Sequence, residues 1–210
     1  MTQSETKERI LAAAERVFSE HGYGGARTRQ IAEAAGVNVA LLHYHFGTKD
    51  DLYQAVLRAA QERVAAAIHQ ALVRDTPPAE RVANAIRAHF DQLSRSPHRA
   101  RLLMDAILRR HPLALEIGER AAGTVAVEVL RAVQDGAQGG TFRDGVDLGH
   151  TILSVTGLNL IYFAAQPIVE ALFPGDAYGP EALAARREAV VDLVLHGVLA
   201  RRERPTEEAP

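Results

Sequence analysis

Asp147, His150 and Ser154 stand at i, i+3 and i+7 in a segment of helical character, so an acid, an imidazole and a hydroxyl share one helix face. Those are the residue types of a nucleophilic triad. A working nucleophile also needs an oxyanion hole and a strained, exposed perch such as the Gly-x-Ser-x-Gly turn, and neither surrounds Ser154. Asp147 reads more simply as a carboxylate at a helix N-terminus, and Ser154 as a small interface residue. His43-Tyr44-His45 raises the question of a metal, but residues i and i+2 diverge by about 200° on a helix, so both imidazoles cannot grip one ion. With no Cys, thiolate metal sites, disulfides and a cysteine nucleophile are excluded. His98, Arg99, Arg101, Arg109, Arg110 and His111 form a basic group that reads as a solvated helix face able to attract an anion. The expectation is recognition without catalysis, with no metal and no cofactor.

The elements that must position these residues are all helical. Ile10, Ala14, Val17, Phe18 and His21 make one stripe of a helix over 4–21, with Gly22 as its stop. Thr28 is the expected N-cap of a short helix ending by Gly36, and Asn38 caps a second that runs to about Phe46. Thr48 with Asp51 three residues on makes an acidic capping box. A long helix follows, with Leu52, Val56, Ala60, Val64, Ile68 and Leu72 at helical spacing until Pro77-Pro78. Further helices are expected at about 79–94, 97–110, 113–136, 146–166 and 181–202, roughly nine in all. The fold class is all-α, and 37 Ala in 210 residues suit closely packed helices. Arg204 to Pro210 is expected to be a disordered tail. No uninterrupted apolar stretch approaches the ~18–20 residues of a membrane span. The polar N-terminus is unlike a signal peptide, so a cytoplasmic protein without membrane contact is expected.

Residues 28–46 carry the information. Two short helices joined through a glycine, behind a longer supporting helix, match the helix-turn-helix pattern. Ala32 must be small where the second helix crosses, and Gly36 supplies a positive φ. Ile31, Ala35, Val37, Leu42 and Phe46 face inward, which leaves Val39, Ala40, Leu41, His43 and Tyr44 as an outer face too apolar and aromatic to meet only water.

Thr28, Ile31, Ala32, Ala35, Gly36 and Val37, followed by Leu42, His43, His45, Phe46, Lys49 and Leu52, resemble the N-terminal signature of the tetracycline-repressor-like (TetR) transcription regulators. The spacing agrees throughout, with His43 where the family usually has Tyr and Ala40 where many members have Gly. The resemblance is specific over about residues 4–55. Gly140-Thr141-Phe142-Arg143-Asp144-Gly145-Val146-Asp147 looks like the family's usual lead into its dimerisation helices. It implies a DNA-binding domain over 1–47 and a ligand-binding and dimerisation domain over 48–203. The implied function is a homodimeric repressor of palindromic double-stranded operators, released by a small apolar or amphipathic effector. An activator or ligand-independent DNA binder on the same fold is the alternative, and a helical enzyme a remoter one. Thr28, Tyr44, His45 and Lys49 would position phosphates; Arg29, Val39, Ala40, Leu41 and His43 would face base edges, with Asn38 at the helix start.

A formal net charge of −2 argues weakly against nucleic acid until it is resolved along the chain. Phosphate attraction is local, screened over ~8–10 Å. Residues 27–49 hold Arg27, Arg29 and Lys49 against Glu33 alone, a local +2 that a dimer doubles.

The remaining helices carry the dimer and effector expectations. Helix 146–166 is apolar around much of its circumference, and helix 181–202 sets Leu183, Val190, Val191, Leu193 and Val194 beside Ala184, Ala185 and Ala189, which suits a four-helix interface. An effector lining is drawn from His89, Phe90, Leu93, Met104, Ile107, Leu108, Asn159, Tyr162 and Phe163.

Overall fold

Capping residues set where the helices begin. In the computed structural model, which describes residues 2–199, Thr2 caps α1 (Gln3–Gly25), with Glu5 returning the bond to the Thr2 amide. Gly22, at φ +66°, breaks α1 near its end. α2 (Thr28–Ala35) starts one residue earlier than expected: Arg27 is the N-cap and its amide donates to Gln30 Oε1 at 2.9 Å, so Thr28 is the first helical residue. Asn38 caps α3 (Val39–Phe46) and Thr48 caps α4 (Lys49–Leu72), both as expected.

Seven more helices follow: α5 (Pro78–Ser94), α6 (Pro97–Leu108), α7 (Pro112–Gly123), α8 (Val125–Gln138), α9 (Leu148–Ala164), α10 (Gln166–Leu172) and α11 (Pro180–Val198). The count among the described residues is eleven, against about nine expected. The apolar period over 113–136 runs straight through Thr124, where the chain kinks and splits α7 from α8. α10 is a short extra helix that Pro167 starts rather than stops, because proline is tolerated in a first turn. Among the described residues there is no strand, only an isolated antiparallel bridge from Phe142 to Leu199. The expected tail 204–210, the last residues of the expected 181–202 helix and the end of the 48–203 domain lie outside the described residues.

Three cores hold the helices. The first joins Ile10 and Phe18 of α1, Ile31 of α2, Leu42 of α3 and Leu52, Tyr53 and Val56 of α4, and it continues into Leu102 of α6 and Leu113 of α7. Truncating a buried leucine such as Leu42 to Ala costs about 2–5 kcal/mol. The second gathers Ile68 and Leu72 at the far end of α4 with Ile86, Phe142, Val190 and Val194. The third is aromatic, built from Phe90, Tyr162 and Phe163 around Leu93, Leu160 and Val169. α4 therefore contributes to two cores and packs most extensively on α5. No single helix among the described residues is long and apolar enough to cross a membrane; α9 and α10 are apolar enough only together, and they meet at 86°.

Candidate nucleic-acid interface

The turn between α2 and α3 is built by backbone geometry and by a distant arginine. Gly36 adopts φ +64°, the left-handed region that favours glycine, and the Val37 amide reaches back to the Ala32 carbonyl at 3.0 Å. Arg9, on α1, donates from Nη2 to the carbonyls of Ala35 and Gly36, satisfying the end of α2. A Cβ at position 36 would lie 2.7 Å from that same nitrogen.

α3 turns one residue fully inward, Leu42, and leaves Ala40, His43 and Tyr44 exposed, Tyr44 by 73%. Asn38 Oδ1 accepts from the Leu41 amide at 2.7 Å, so this side chain is occupied in capping. His43 Nδ1 bonds the Gly47 carbonyl at 2.6 Å, which fixes the ring at the end of the helix. His45 is half-buried and meets the Tyr44 ring edge to face at 5.3 Å. Val39 and Leu41 are half-buried, and Val39 packs on the first core; the outer face is accordingly narrower than the sequence pattern implies.

The charged members stand differently. Arg29 is exposed and paired with Glu33 one turn on at 3.0 Å, a contact worth about 0.3–0.5 kcal/mol that a phosphate or base readily replaces. Thr28 is half-buried at the start of α2. Lys49 lies with its Nζ 4.5 Å from the Tyr23 ring centroid; desolvation and the nearby Arg109 lower its pKa. A cation over an aromatic face is attracted by the ring quadrupole, so Lys49 is held close to the α3–α4 corner.

Behind that corner, the head is tied to α6 and α7. Asp50 lies 3.2 Å from His111 Nε2, and bonds from Gln54 and His111 lower the Asp50 pKa. Tyr53 Oη is 3.2 Å from both the Leu102 carbonyl and Asp105 Oδ2, and Arg109 pairs with Asp105 at 2.7 Å. Glu15 of α1 accepts from Ser96, Arg99 and Arg63. The basic group at 98–111 is thus largely engaged: Arg99 binds Glu15, Arg101 binds His98 and Gln166, Arg109 binds Asp105 and His111 meets Asp50. That corrects the expected solvated face in part: Glu15 of α1 and Asp50 of α4, far away in sequence, engage Arg99 and His111, while Arg109 pairs with Asp105 one turn back and stays exposed with Arg110.

Of the nine residues expected to line an effector site, seven converge. Phe90, Leu93, Tyr162 and Phe163 are buried in the third core, Met104 packs on it, and Asn159 hydrogen-bonds His89. Ile107 and Leu108 do not belong with them: they are 45% and 76% exposed at the end of α6, where the helix turns them outward. Asp147 caps α9 by accepting from the His150 amide at 2.9 Å, and Ser154 bonds the His150 carbonyl at 2.7 Å, so the triad-like set serves the helix itself. Sequence reasoning missed Arg9, Gln30, Tyr23 and Glu15. Only Gln30 had a local signal, three residues beyond its cap.

The family profile described as "Bacterial regulatory proteins, tetR family" matches residues 10–56, and "Tetracyclin repressor-like, C-terminal domain" matches residues 78–194. The HTH-type transcriptional repressor NicS of Pseudomonas putida is 28% identical over 92% of this chain and 92% of its own length. The HTH-type transcriptional activator FasR of Mycolicibacterium smegmatis is 32% identical, over 50% of this chain and 48% of its own. A solved regulatory protein of the tetR family from Rhodococcus RHA1 superposes with a TM-score of 0.75 at 24% identity, covering 96% of this chain and 100% of that one, and so shares the fold. The two profiles between them span head and body, and the chain belongs to the TetR family of DNA-binding transcriptional regulators.

Proposed function

We propose that the chain is a homodimeric repressor of a palindromic operator, released when a small, largely apolar molecule enters its C-terminal helices. The observation that carries the DNA-binding half is α3 itself: one buried leucine anchors a helix whose Tyr44 is 73% exposed beside His43 and Ala40. In this reading Thr28, Tyr44, His45 and Lys49 take phosphates, aided by the helix N-termini. Arg29, Ala40, Leu41 and His43 face base edges, Val39 supports from its half-buried place, and Asn38 holds the helix start.

Dimerisation is read on α9 and α11. Leu153 and Ile161 on α9 are 69% and 51% exposed, with Ser154 and Gly157 between them, and Leu193 on α11 is 61% exposed. Exposed apolar residues interleaved with small ones suit a second copy packing closely. Two recognition helices about one DNA turn apart, ~34–36 Å, would then read an inverted repeat. Residues 1–47 act as the DNA-binding domain and 48–203 as the effector and dimer domain, with α4 as the link because it contributes to two cores. A DNA target places the protein in the cytoplasm. Effector release demands differential affinity: moving occupancy from 99% to 1% needs about 5.5 kcal/mol between the two states.

The test is a gel shift on the DNA flanking the protein's own gene, searched for an inverted repeat. Wild type shifts the repeat, and Tyr44→Ala and Lys49→Ala each weaken binding at least tenfold. Unchanged binding by both variants overturns the interface.

A further inference from the structure

Asn159 is wholly buried on α9, and its Nδ2 lies 2.9 Å from Nδ1 of His89 on α5. Its Oδ1 has no hydrogen-bond partner. Buried polar atoms are nearly always paired, and one that is not weakens the fold unless something else occupies it. The amide can also be turned over, with Oδ1 accepting from His89 and the NH2 left over. In either orientation one end of Asn159 faces the interior without a partner. Tyr162 and Phe163 lie one turn further along α9, Phe90 follows His89, and the Phe90 and Phe163 rings sit 5.1 Å apart. Met104, unbranched and only half-buried, is the adaptable side chain on this core.

We propose that the Asn159–His89 pair is where the C-terminal helices read their effector, and that it selects a neutral hydroxyl on an apolar body. The inference rests on those helices being the effector-binding unit and adds the chemistry of the ligand. A hydroxyl both donates and accepts, so it completes Asn159 in either amide orientation. A hydrocarbon of the same shape leaves the orphan unmade. A carboxylate enters with a charge that must be desolvated beside an imidazole which burial holds neutral in the free protein, a cost that a neutral hydroxyl does not meet. Arg186 of α11 reaches α9 with its guanidinium, donating to the Leu158 carbonyl at 3.0 Å and lying over the Tyr162 ring. Its Nε is unpaired, which makes a carboxylate the proper competitor to test.

The experiment compares para-propylphenol, para-propylbenzoate and propylbenzene, at equal millimolar concentration, by thermal shift and calorimetry on the full chain. The phenol is expected to raise Tm and to bind at least tenfold tighter than either analogue. Asn159→Leu exchanges the orphan oxygen for methyls but strands His89 Nδ1, so it is expected to stay folded, melting near or below wild type without ligand, and to lose the phenol's advantage. Asn159→Ser, milder for folding, is expected to weaken the phenol at least tenfold. The proposal is overturned if the phenol does not bind, if an analogue binds as well, or if both variants keep the phenol's preference. Selective phenol binding without any change in operator affinity supports the site and overturns effector release. Release of the operator by a ligand that Asn159→Leu binds normally does the reverse.

Discussion

Tyr53, buried in the first core on α4, places its hydroxyl 3.2 Å from the Asp105 carboxylate on α6. Burial and Asp105 together hold the Tyr53 pKa well above the ordinary phenol value, so the hydroxyl keeps its proton and can donate at any pH the protein tolerates. Its other neighbour is the Leu102 carbonyl, also at 3.2 Å. The contact joins the base of the recognition unit to the helix leading toward the aromatic core.

Tyr53→Phe keeps the ring against Phe18 and Tyr23 and removes only the hydroxyl. Asp105 retains Arg109, so no charge is stranded. Urea unfolding should show a loss of about 0.5–1.5 kcal/mol. A loss above about 3 kcal/mol would mean that the ring packing had changed as well.

Asn38→Asp keeps an oxygen for the Leu41 amide and places a negative charge on the positive end of α3. Stability should hold or rise by a few tenths of a kcal/mol. Operator affinity should fall, since in the proposed interface the new charge would face phosphates. Asn38→Ala separates the two effects: it should cost about 1 kcal/mol of stability, read by thermal melts, through the lost cap.

His89 gives a pH window. Its imidazole titrates near 4 when folded and near 6.5 when unfolded, so between those values the unfolded chain binds more protons and stability falls as pH falls. Stability is full above about 6.5, and the loss is complete near pH 4, at up to about 3 kcal/mol. His89→Gln should flatten the curve through that window. The lowered pKa values of Glu116 and Glu188, held by Arg58 and Arg87, produce a separate loss at more acid pH, which the variant should retain.

Leu153→Glu with Leu193→Glu puts two charges on the exposed apolar stripes of α9 and α11. Both side chains are largely in solvent within one protomer, so circular dichroism should remain helical. Analytical ultracentrifugation should show a monomer for the variant against the proposed dimer for wild type, and operator binding should weaken with it. A dimer surviving both changes would move the interface elsewhere.

What could be read from the sequence was what lies close along it. The caps at Asn38 and Thr48, the glycine at 36 and the inward face from Ile31 to Leu42 are set by neighbours within a few residues, so spacing alone locates them. Contacts across the chain leave no such trace. Arg9 meets Ala35 from 26 positions away, Glu15 gathers Arg63 and Arg99, and nothing in Lys49 announces that it will lie over Tyr23. Periodicity finds an apolar face without saying what covers it, which is why Ile107 and Leu108 were grouped with a core they turn away from. The break at Thr124 escaped for the same reason, since the apolar pattern continues on both sides of the kink.

The passage of Arg9 over Gly36 bears on protein engineering. Position 36 is restricted twice, by its φ and by the guanidinium that crosses it, and the second restriction is written in another helix. Anyone transplanting α2 and α3 from a related regulator to change operator choice would therefore need to bring the first helix along. A graft cut at residue 27 would leave the Ala35 carbonyl in the care of a residue selected for a different turn.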